Sequence, residues 1–434
     1  MPLFLYLLFF KMFKKIAFSF SLYSLTAVIC AALSILLLPI LTKHLSEKDY
    51  GATALFSTFV MIISPIIGLS SGGYFWIEFF KKDSTLTKQA LVFSSYFWIT
   101  IFTTLCITLL IFILYPLIKE ISFFNLLFLL LIPATGLITL IGEETKNYYV
   151  NKKKPLTYLF YSVSITLIEI GLSYYFVIYV FKNWEGRIYA WLISLLVQFI
   201  FTICIFAVKE SYLKFIFSKT DFQKLILFGY PLIFHQLGKF VVNQSDRIFI
   251  SKMISLDEAG IYSIGYQVGS MILLPISAFS NFFNPYIFER LSDLNQQKKA
   301  EIVKSSYVFI SVIFICFFLV VILSPFFFEL FIDSKFKHGL VYVPWVALSY
   351  VFWGIYLVFS AIIFYKEKTK FLGLLSLFNI VLNCLLNVIL INYFGAIGAA
   401  YATAISFLVV MIFTVLYSNK LIALPWLSFN KIKY

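Results

Sequence analysis

The sequence predicts an all-α protein that crosses a membrane about twelve times, and three observations carry this prediction. The first is composition, because 62% of the 434 residues are hydrophobic and only 12% are charged, roughly half the charged fraction of a soluble domain. The second is a succession of apolar stretches of about 20 residues, the length that a membrane-spanning helix requires. The third is a strong asymmetry in where lysine and arginine fall between those stretches. Soluble globular folds are therefore excluded.

Twelve apolar stretches are long enough to span a bilayer, and we number them spans 1 to 12. The segments between them are short and polar, so the helices must supply almost all of the structure. The predicted spans cover residues 16–42, 52–77, 89–115, 122–142, 156–180, 188–208, 225–251, 261–288, 305–331, 340–365, 371–391 and 396–417.

The distribution of basic residues predicts the orientation of the spans. If the N-terminus is cytoplasmic, the segments on that side carry 24 of the 34 Lys and Arg residues, and the opposite side carries eight. This bias follows the positive-inside rule, and it explains the net charge of +14 without a nucleic-acid partner. We therefore predict that both chain ends are cytoplasmic. Residues 1–15 are interpreted as a non-cleaved cytoplasmic extension, with Met1 or Met12 as the natural start.

No sequence pattern indicates a metal, a nucleotide or another resident cofactor. The five cysteines lie singly inside predicted spans, without CxxC spacing. The chain also lacks the G-x-x-x-x-G-K-[ST] segment that holds nucleotide phosphates. We predict no cofactor, so that any transport would draw on an ion or proton gradient.

The two halves of the chain share motifs at a constant offset of 209 residues. Residues 43–51 read K-x-x-S-x-x-D-x-G and residues 252–260 read K-x-x-S-x-x-E-x-G. The same offset relates residues 183–190 to 392–399, and Lys81 to Arg290. Because each half contains six spans, both halves start on the same side of the membrane. We predict two parallel six-helix repeats around a central cavity: an N-lobe over 16–208, a basic linker over 209–224, and a C-lobe with a short basic tail over 225–434.

Span 7 concentrates polar side chains at a depth where charge is costly. At about 100° per residue, Gln236, Asn243 and Arg247 fall on one helix face, and Lys239 lies beside it. We predict that this face lines a wet cavity and binds substrate. The alternative is that Asp246 pairs with Lys239 or Arg247 and that the pair only orients helices.

Two further spans carry candidate residues. Span 8 has a milder polar stripe, in which Gln267 and Asn281 are predicted to contact substrate, although ordinary contacts between helices explain such a stripe equally well. Glu169 lies near the middle of span 5 and is the only deep charge of the first half. It is interpreted as a carboxylate that couples transport to a proton or cation, or as a partner of Lys239. Asp246 is the second candidate for coupling or ion pairing.

Four stretches, in their order and positions, carry a family resemblance. They are residues 38–51 (LPILTKHLSEKDYG), 244–252 (QSDRIFISK), 260–263 (GIYS) and 395–403 (GAIGAAYAT). Together they resemble the polysaccharide transporters of the multidrug/oligosaccharidyl-lipid/polysaccharide exporter superfamily, above all the bacterial O-antigen and capsule-unit flippases. One departure is that such proteins often carry basic residues in the cavity of the first lobe, whereas spans 1 to 6 place none deep in the membrane.

The resemblance implies a function and a location. It implies a flippase that moves an undecaprenyl-diphosphate-linked oligosaccharide across the bacterial inner membrane by alternating access. Its partners would be that substrate, membrane lipids, and the polymerase and chain-length machinery of glycan synthesis. Two alternatives remain: a multidrug cation antiporter of the same superfamily, and a membrane-embedded glycan polymerase or ligase. We expect no enzyme, because the predicted outer loops are about ten residues or fewer, too short for a catalytic domain.

Overall fold

The computed structural model describes residues 22–120, 122–214, 216 and 218–426, with only the backbone of residues 234, 235, 239, 240, 281 and 282. Throughout these ranges the chain forms helices and short connections, and it contains no β-strand. Twelve helical segments follow the order of the predicted spans, which confirms an all-α, multi-pass membrane fold. The predicted extension over 1–15 lies outside the described residues.

The helical segments match the predicted spans one for one, and most extend beyond the predicted limits. Within the described ranges, ten are long and apolar enough to cross a bilayer, and span 7 is an eleventh if its two pieces count as one. The bounds are Leu22–His44, Glu47–Ile63 with Gly73–Phe80, Leu86–Ile118, Leu126–Asn151, Pro155–Val180, Trp184–Lys209, Lys219–Gly238 with Val241–Met253, Leu256–Ser292, Gln296–Phe331, Ser334–Tyr365, Thr369–Phe394 and Ile397–Leu421.

Side-chain caps determine where several spans begin. Thr85, Asn125, Asn183, Ser255 and Asn295 each have an extended backbone, and each accepts a hydrogen bond from a backbone N–H two or three residues later. These bonds satisfy N–H groups that have no partner inside the helix. Hydropathy alone does not detect these caps, so the predicted starts of spans 3, 6, 8 and 9 are three to nine residues late and that of span 4 is four residues early.

The outward surfaces of the spans are apolar, as contact with lipid requires. On span 3, Phe102, Leu109 and Leu117 are all more than half exposed, and on span 9 Ile322 and Phe326 are as well. Patches of this kind are rare on soluble monomers. Lipid hydrocarbon is the environment in which such side chains are stable.

Ser46 and Ser255, which are 209 residues apart, start spans 2 and 8 in the same way. The Ser46 hydroxyl accepts a hydrogen bond from the Asp49 N–H at 3.1 Å, and the Ser255 hydroxyl accepts one from the Glu258 N–H at 3.1 Å. Asp49 also accepts a bond from the Ser46 N–H, which completes a capping box. The repeated K-x-x-S-x-x-[DE] pattern is therefore a repeated helix start.

The glycines that end the two motifs make a reciprocal contact. A Cβ atom on Gly51 would lie 2.0 Å from the carbonyl oxygen of Leu256, and one on Gly260 would lie 2.0 Å from that of Glu47. Leu256 is also 209 residues after Glu47, so the two approaches are equivalent. Only a residue without a side chain permits such a distance.

The match between residues 183–190 and 392–399, at the same offset, does not join equivalent positions of two helices. Asn183 is the N-cap of span 6, whereas Asn392 lies in the last turn of span 11. The capping position of span 12 is Ala396, which has no side-chain hydrogen bond.

Span 2 is broken near its middle, although it was predicted as one helix over 52–77. Gly68, Leu69 and Ser70 have φ angles of 67°, 53° and 52°, in the left-handed region. Leu69 and Ser70 carry side chains, so this backbone is strained. The Gly68 N–H donates a hydrogen bond to the Thr103 hydroxyl at 3.1 Å, which ties the break to span 3.

Contacts divide the chain into two compact units, each with its own core. The first comprises the chain up to Leu45 together with Phe56–Leu237, and the second comprises Ser46–Leu55 and the chain from Gly238 onward. The first core contains Phe93 and Phe206, whose rings stack at 4.3 Å. The two lobes predicted over 16–208 and 225–434 were defined by the sequence repeat, not by contacts. They stay a prediction.

Candidate functional site

Asp246 and Arg247 form a buried ion pair in the second unit. Arg247 Nη1 donates a hydrogen bond to Asp246 Oδ1 at 2.6 Å and another to the Asn243 carbonyl oxygen at 2.8 Å. The two side chains are 1% and 6% exposed, respectively. The guanidinium is therefore turned toward its own helix and its neighbours, in the arrangement of the ion-pair alternative.

Tyrosines from spans 8 and 10 enclose this pair. The Arg247 guanidinium lies 3.9 Å from the centre of the Tyr266 ring, and the Tyr262 hydroxyl donates a hydrogen bond to Asp246 Oδ2 at 2.6 Å. The hydroxyls of Tyr266 and Tyr350 are 2.5 Å apart. Buried charges are tolerated when they are paired and hydrogen-bonded on all sides. Sequence analysis missed these tyrosines, although Tyr262 and Tyr266 have the four-residue spacing of one helix face.

Apart from Arg247, the predicted binding residues whose side chains the structure describes are amides with different exposure. Gln267 is exposed, and its Oε1 accepts a hydrogen bond from the Tyr50 hydroxyl at 3.0 Å. Asn243 is half-buried, and its Oδ1 accepts a long bond from Tyr350 at 3.4 Å. Gln236 is also half-buried. The side chains of Lys239 and Asn281, two of the predicted binding residues, lie outside the described residues.

Glu169 has a partner that sequence analysis did not assign. Its Oε1 accepts a hydrogen bond from Arg187 Nη2 at 2.7 Å, and Arg187 Nη1 donates to the Ser173 hydroxyl at 2.9 Å. Arg187 was counted as a loop residue, but it lies in the first turn of span 6. Glu169 therefore belongs to an ion pair between spans 5 and 6, and its pairing with Lys239 stays a prediction because the side chain of Lys239 lies outside the described residues.

A further buried carboxylate, Glu144, was missed altogether. It lies two residues beyond the predicted end of span 4, whereas the helix continues to Asn151. Its side chain accepts a hydrogen bond from Trp76 Nε1 at 2.7 Å. The described part of the chain contains no group of three or more His, Cys, Asp or Glu residues that could hold a metal ion.

The fold is that of transporters of the MOP superfamily. A multidrug resistance MATE family transporter of this superfamily, in an inward-facing conformation, matches with a TM-score of 0.72 over 90% of this chain and 94% of its own, at 13% identity. The lipid II flippase MurJ, in an inward closed conformation, matches with a TM-score of 0.68 over 92% of this chain and 87% of its own, at 17% identity. At these identities the likeness concerns the fold alone.

Comparison of sequences identifies the family. The profile described as "Polysaccharide biosynthesis protein" matches residues 16–291, and the MatE profile matches residues 231–389. The chain therefore belongs to the polysaccharide biosynthesis protein family, which confirms the resemblance found in the motifs. A relative described as an uncharacterized membrane protein of Haemophilus influenzae is 26% identical over 286 residues. That match covers 62% of this chain and 65% of the relative.

Proposed function

We propose that this protein is a flippase for undecaprenyl-diphosphate-linked oligosaccharide units of the O-antigen or capsule type, which it moves by alternating access. The observation that best supports this proposal is that the buried carboxylate of the second unit is paired, while amide side chains of the same unit are not fully buried. Asp246 is neutralised by Arg247 and Tyr262, while the amide of Gln267 is exposed and that of Asn243 is half-buried. Such groups suit sugar hydroxyls and phosphate oxygens.

Each candidate residue has a proposed role in this function. Gln236, Asn243, Gln267 and Asn281 would bind the glycan or the diphosphate, and Lys239 would supply positive charge to the diphosphate. Arg247 is proposed as a positioning residue, because its guanidinium is engaged by Asp246 and the Asn243 carbonyl.

The alternatives gain less support. A multidrug cation antiporter would present an accessible carboxylate, whereas Asp246 is 1% exposed and paired. A glycan polymerase or ligase would need a large loop for its catalytic residues. In the part of the chain that the structure describes, the longest connection between spans is residues 210–218. We therefore propose transport without catalysis, coupled to an ion or proton gradient.

We further propose that the protein resides in the bacterial inner membrane with both ends in the cytoplasm. The positive-inside distribution supports this orientation. Reporter fusions at Lys153, Lys219 and Lys299 are expected to read cytoplasmic, and fusions at Lys182 and Lys335 periplasmic. A clear inversion at any of these positions would contradict the orientation.

Deletion of the gene tests the function. Lipid-linked repeat units should accumulate on the cytoplasmic face of the inner membrane, and the wild-type gene should restore export. Gln267→Ala should restore it poorly at normal protein level. The matched control is Gln297→Ala, because Gln297 is an exposed glutamine at the start of span 9, away from the proposed binding residues. A deletion strain that exports glycan normally, without accumulation, rules out the flippase role. Polymerisation and chain length of the glycan, measured in the same deletion strain, test whether this protein associates with the polymerase and chain-length machinery.

A further inference from the structure

Glu144 is a buried carboxylate that pairs with none of the cationic side chains that the structure describes. It is 4% exposed, inside span 4. The described lysine and arginine side chains form no ion pair with it, whereas the neighbouring Glu143 pairs with Lys146 at 2.7 Å. An ionised carboxylate in a low-dielectric environment is costly unless it is paired, so such a group is stable mainly when it can take up a proton.

The two oxygens of Glu144 have different surroundings. Oε2 accepts hydrogen bonds from Trp76 Nε1 at 2.7 Å and from Asn147 Nδ2 at 3.2 Å. Oε1 faces Gly72, on which a Cβ atom would lie 3.0 Å from Oε1 and 3.1 Å from the Tyr96 hydroxyl. Oε2 is thus the acceptor of N–H donors in either protonation state, and Oε1 is the oxygen that can carry the proton.

The titratable groups around Glu144, among the described residues, are tyrosines and a second carboxylate. Tyr96 from span 3 is the titratable group beside Oε1. On the helix of Glu144 itself, the nearest titratable group is Glu143. Span 5 directs Tyr161 toward the adjacent Thr145, and span 6 contributes Thr202, whose hydroxyl lies 2.7 Å from that of Thr145.

The carboxylate lies beside the break in span 2. Gly72 lies two residues after Ser70, the last of the left-handed residues Gly68, Leu69 and Ser70, and Trp76 lies one turn further on. Interrupted membrane helices, with backbone groups released from the helix, are a recurrent setting for coupling ions. The two residues of span 2 that contact Glu144 lie just after the break: Gly72 is the N-cap of the short helix Gly73–Phe80, and Trp76 lies within that helix.

A proton fits this site better than a metal ion does. The donors directed at Oε2 are N–H groups, which repel a cation and stabilise a carboxylate. Sodium, calcium or magnesium would require several oxygen ligands converging on one point. The described residues contain no group of three or more His, Cys, Asp or Glu residues that could supply such ligands.

We propose that Glu144 is a protonation site, and that gain or loss of its proton changes the conformation of the broken segment of span 2, residues 67–72. Neutralisation removes the charge that the Trp76 and Asn147 N–H groups stabilise, and gives Oε1 a hydrogen to donate toward Tyr96 or the backbone at Gly72. The use of this change to drive transport rests on the proposed function; the protonation itself does not.

Infrared difference spectroscopy tests the protonation. The full-length protein in lipid bilayers would be titrated from about pH 4 to pH 10, a range that covers known buried carboxyls. A protonated-carboxyl band should appear in the wild type, vanish in Glu144→Gln and shift in Glu144→Asp. It should persist in Glu143→Gln, the matched control one residue away. A band that survives Glu144→Gln, or a wild type without a buried-carboxyl band, overturns the proposal.

Hydrogen exchange tests the link to span 2. After correction for intrinsic exchange rates, amides 67–72 of the wild type should exchange differently at the two ends of the titration. In Glu144→Gln they should show one pattern, that of the protonated wild type, at both ends. If the pattern in Glu144→Gln still changes with pH as in the wild type, the link to span 2 is wrong. Neither measurement requires a lipid-linked glycan, so their outcome is independent of the export assay.

Discussion

Gly51 and Gly260 contact each other through backbone atoms, and each lies against the carbonyl oxygen four residues before the other. Alanine at either position would place its Cβ 2.0 Å from an oxygen, so the helices must move apart. We expect Gly51→Ala and Gly260→Ala each to destabilise the protein by about 1–3 kcal/mol or more. Thermal unfolding in detergent measures this. Gly373→Ala is the control, since nothing lies within 4 Å of that glycine, and its unfolding temperature should not fall.

Because Asp246 and Arg247 form a buried ion pair, we expect the stability of the protein to depend on both residues together. Arg247→Gln leaves a buried carboxylate unpaired, and Asp246→Asn leaves a buried guanidinium unpaired. Each should cost about 3–5 kcal/mol of stability. The double variant should recover most of that loss, because both charges are removed together. Thermal unfolding of the four proteins gives the coupling energy directly.

Export by the double variant decides the role of Arg247. If Arg247 only positions spans 7 and 8, the double variant Asp246→Asn with Arg247→Gln should export glycan at nearly the wild-type level. Stable protein without export would instead mean that Arg247 binds the diphosphate itself. Arg247→Lys should retain export only in part, since a point-charge ammonium cannot reproduce the planar guanidinium that lies over the Tyr266 ring.

The pair of Glu169 and Arg187 predicts a small effect. The two side chains are 29% and 16% exposed, and partly exposed ion pairs contribute at most about 1 kcal/mol. We expect Glu169→Gln and Arg187→Gln to retain normal protein level and export. Loss of export in Glu169→Gln, with Arg187→Gln unaffected, would support Glu169 as the coupling carboxylate.

Glu210 lies outside the membrane spans, and we expect acid to weaken the structure around it. Burial alone would raise the pKa of Glu210, but hydrogen bonds from Tyr148 at 2.6 Å and Lys152 at 3.3 Å outweigh it and hold that pKa below its usual range. Because the pKa is lowered in the folded state, this stabilisation is complete above the pKa of an unfolded glutamate, about 4.3. It is lost as the pH falls through the lower folded value.

Hydrogen exchange in residues 210–214 measures that effect. Exchange, corrected for intrinsic rates, should be slow at neutral pH and accelerate in acid. In Glu210→Gln it should be fast throughout, and Lys152→Met should show part of the acceleration at neutral pH. Equal protection in the wild type and Glu210→Gln would contradict the role of these two bonds.

The number and order of spans could be predicted because a bilayer imposes one requirement, an apolar stretch of sufficient length. The break in span 2 could not be predicted in this way. Leu69 and Ser70 are ordinary helix residues by composition, and their left-handed backbone depends on contacts with span 3. Glu144 was missed for a related reason, because span 4 continues as a helix beyond the point where its hydropathy falls.

The partners of charged residues were the least predictable feature. Glu169 and Arg187 are 18 residues apart across a turn, and helix periodicity relates residues only within one helix. Asp246 and Arg247 are adjacent, so a helical projection separates them by about 100°. The long arginine side chain nevertheless folds back to reach both Asp246 and the Asn243 carbonyl.

The reciprocal contact of Gly51 and Gly260 relates the two halves of the chain. Two residue pairs that exchange partners under one constant shift are arranged as in an isologous contact, the kind made by two copies of one chain. The S-x-x-[DE]-x-G segments of residues 46–51 and 255–260 therefore meet in the way that two copies of one segment would meet. The same shift relates Asp246 and Arg247 to Leu37 and Leu38. The glycine contact is thus shared between the two halves of the chain, whereas the buried charge pair of Asp246 and Arg247 has no charged counterpart at the same shift.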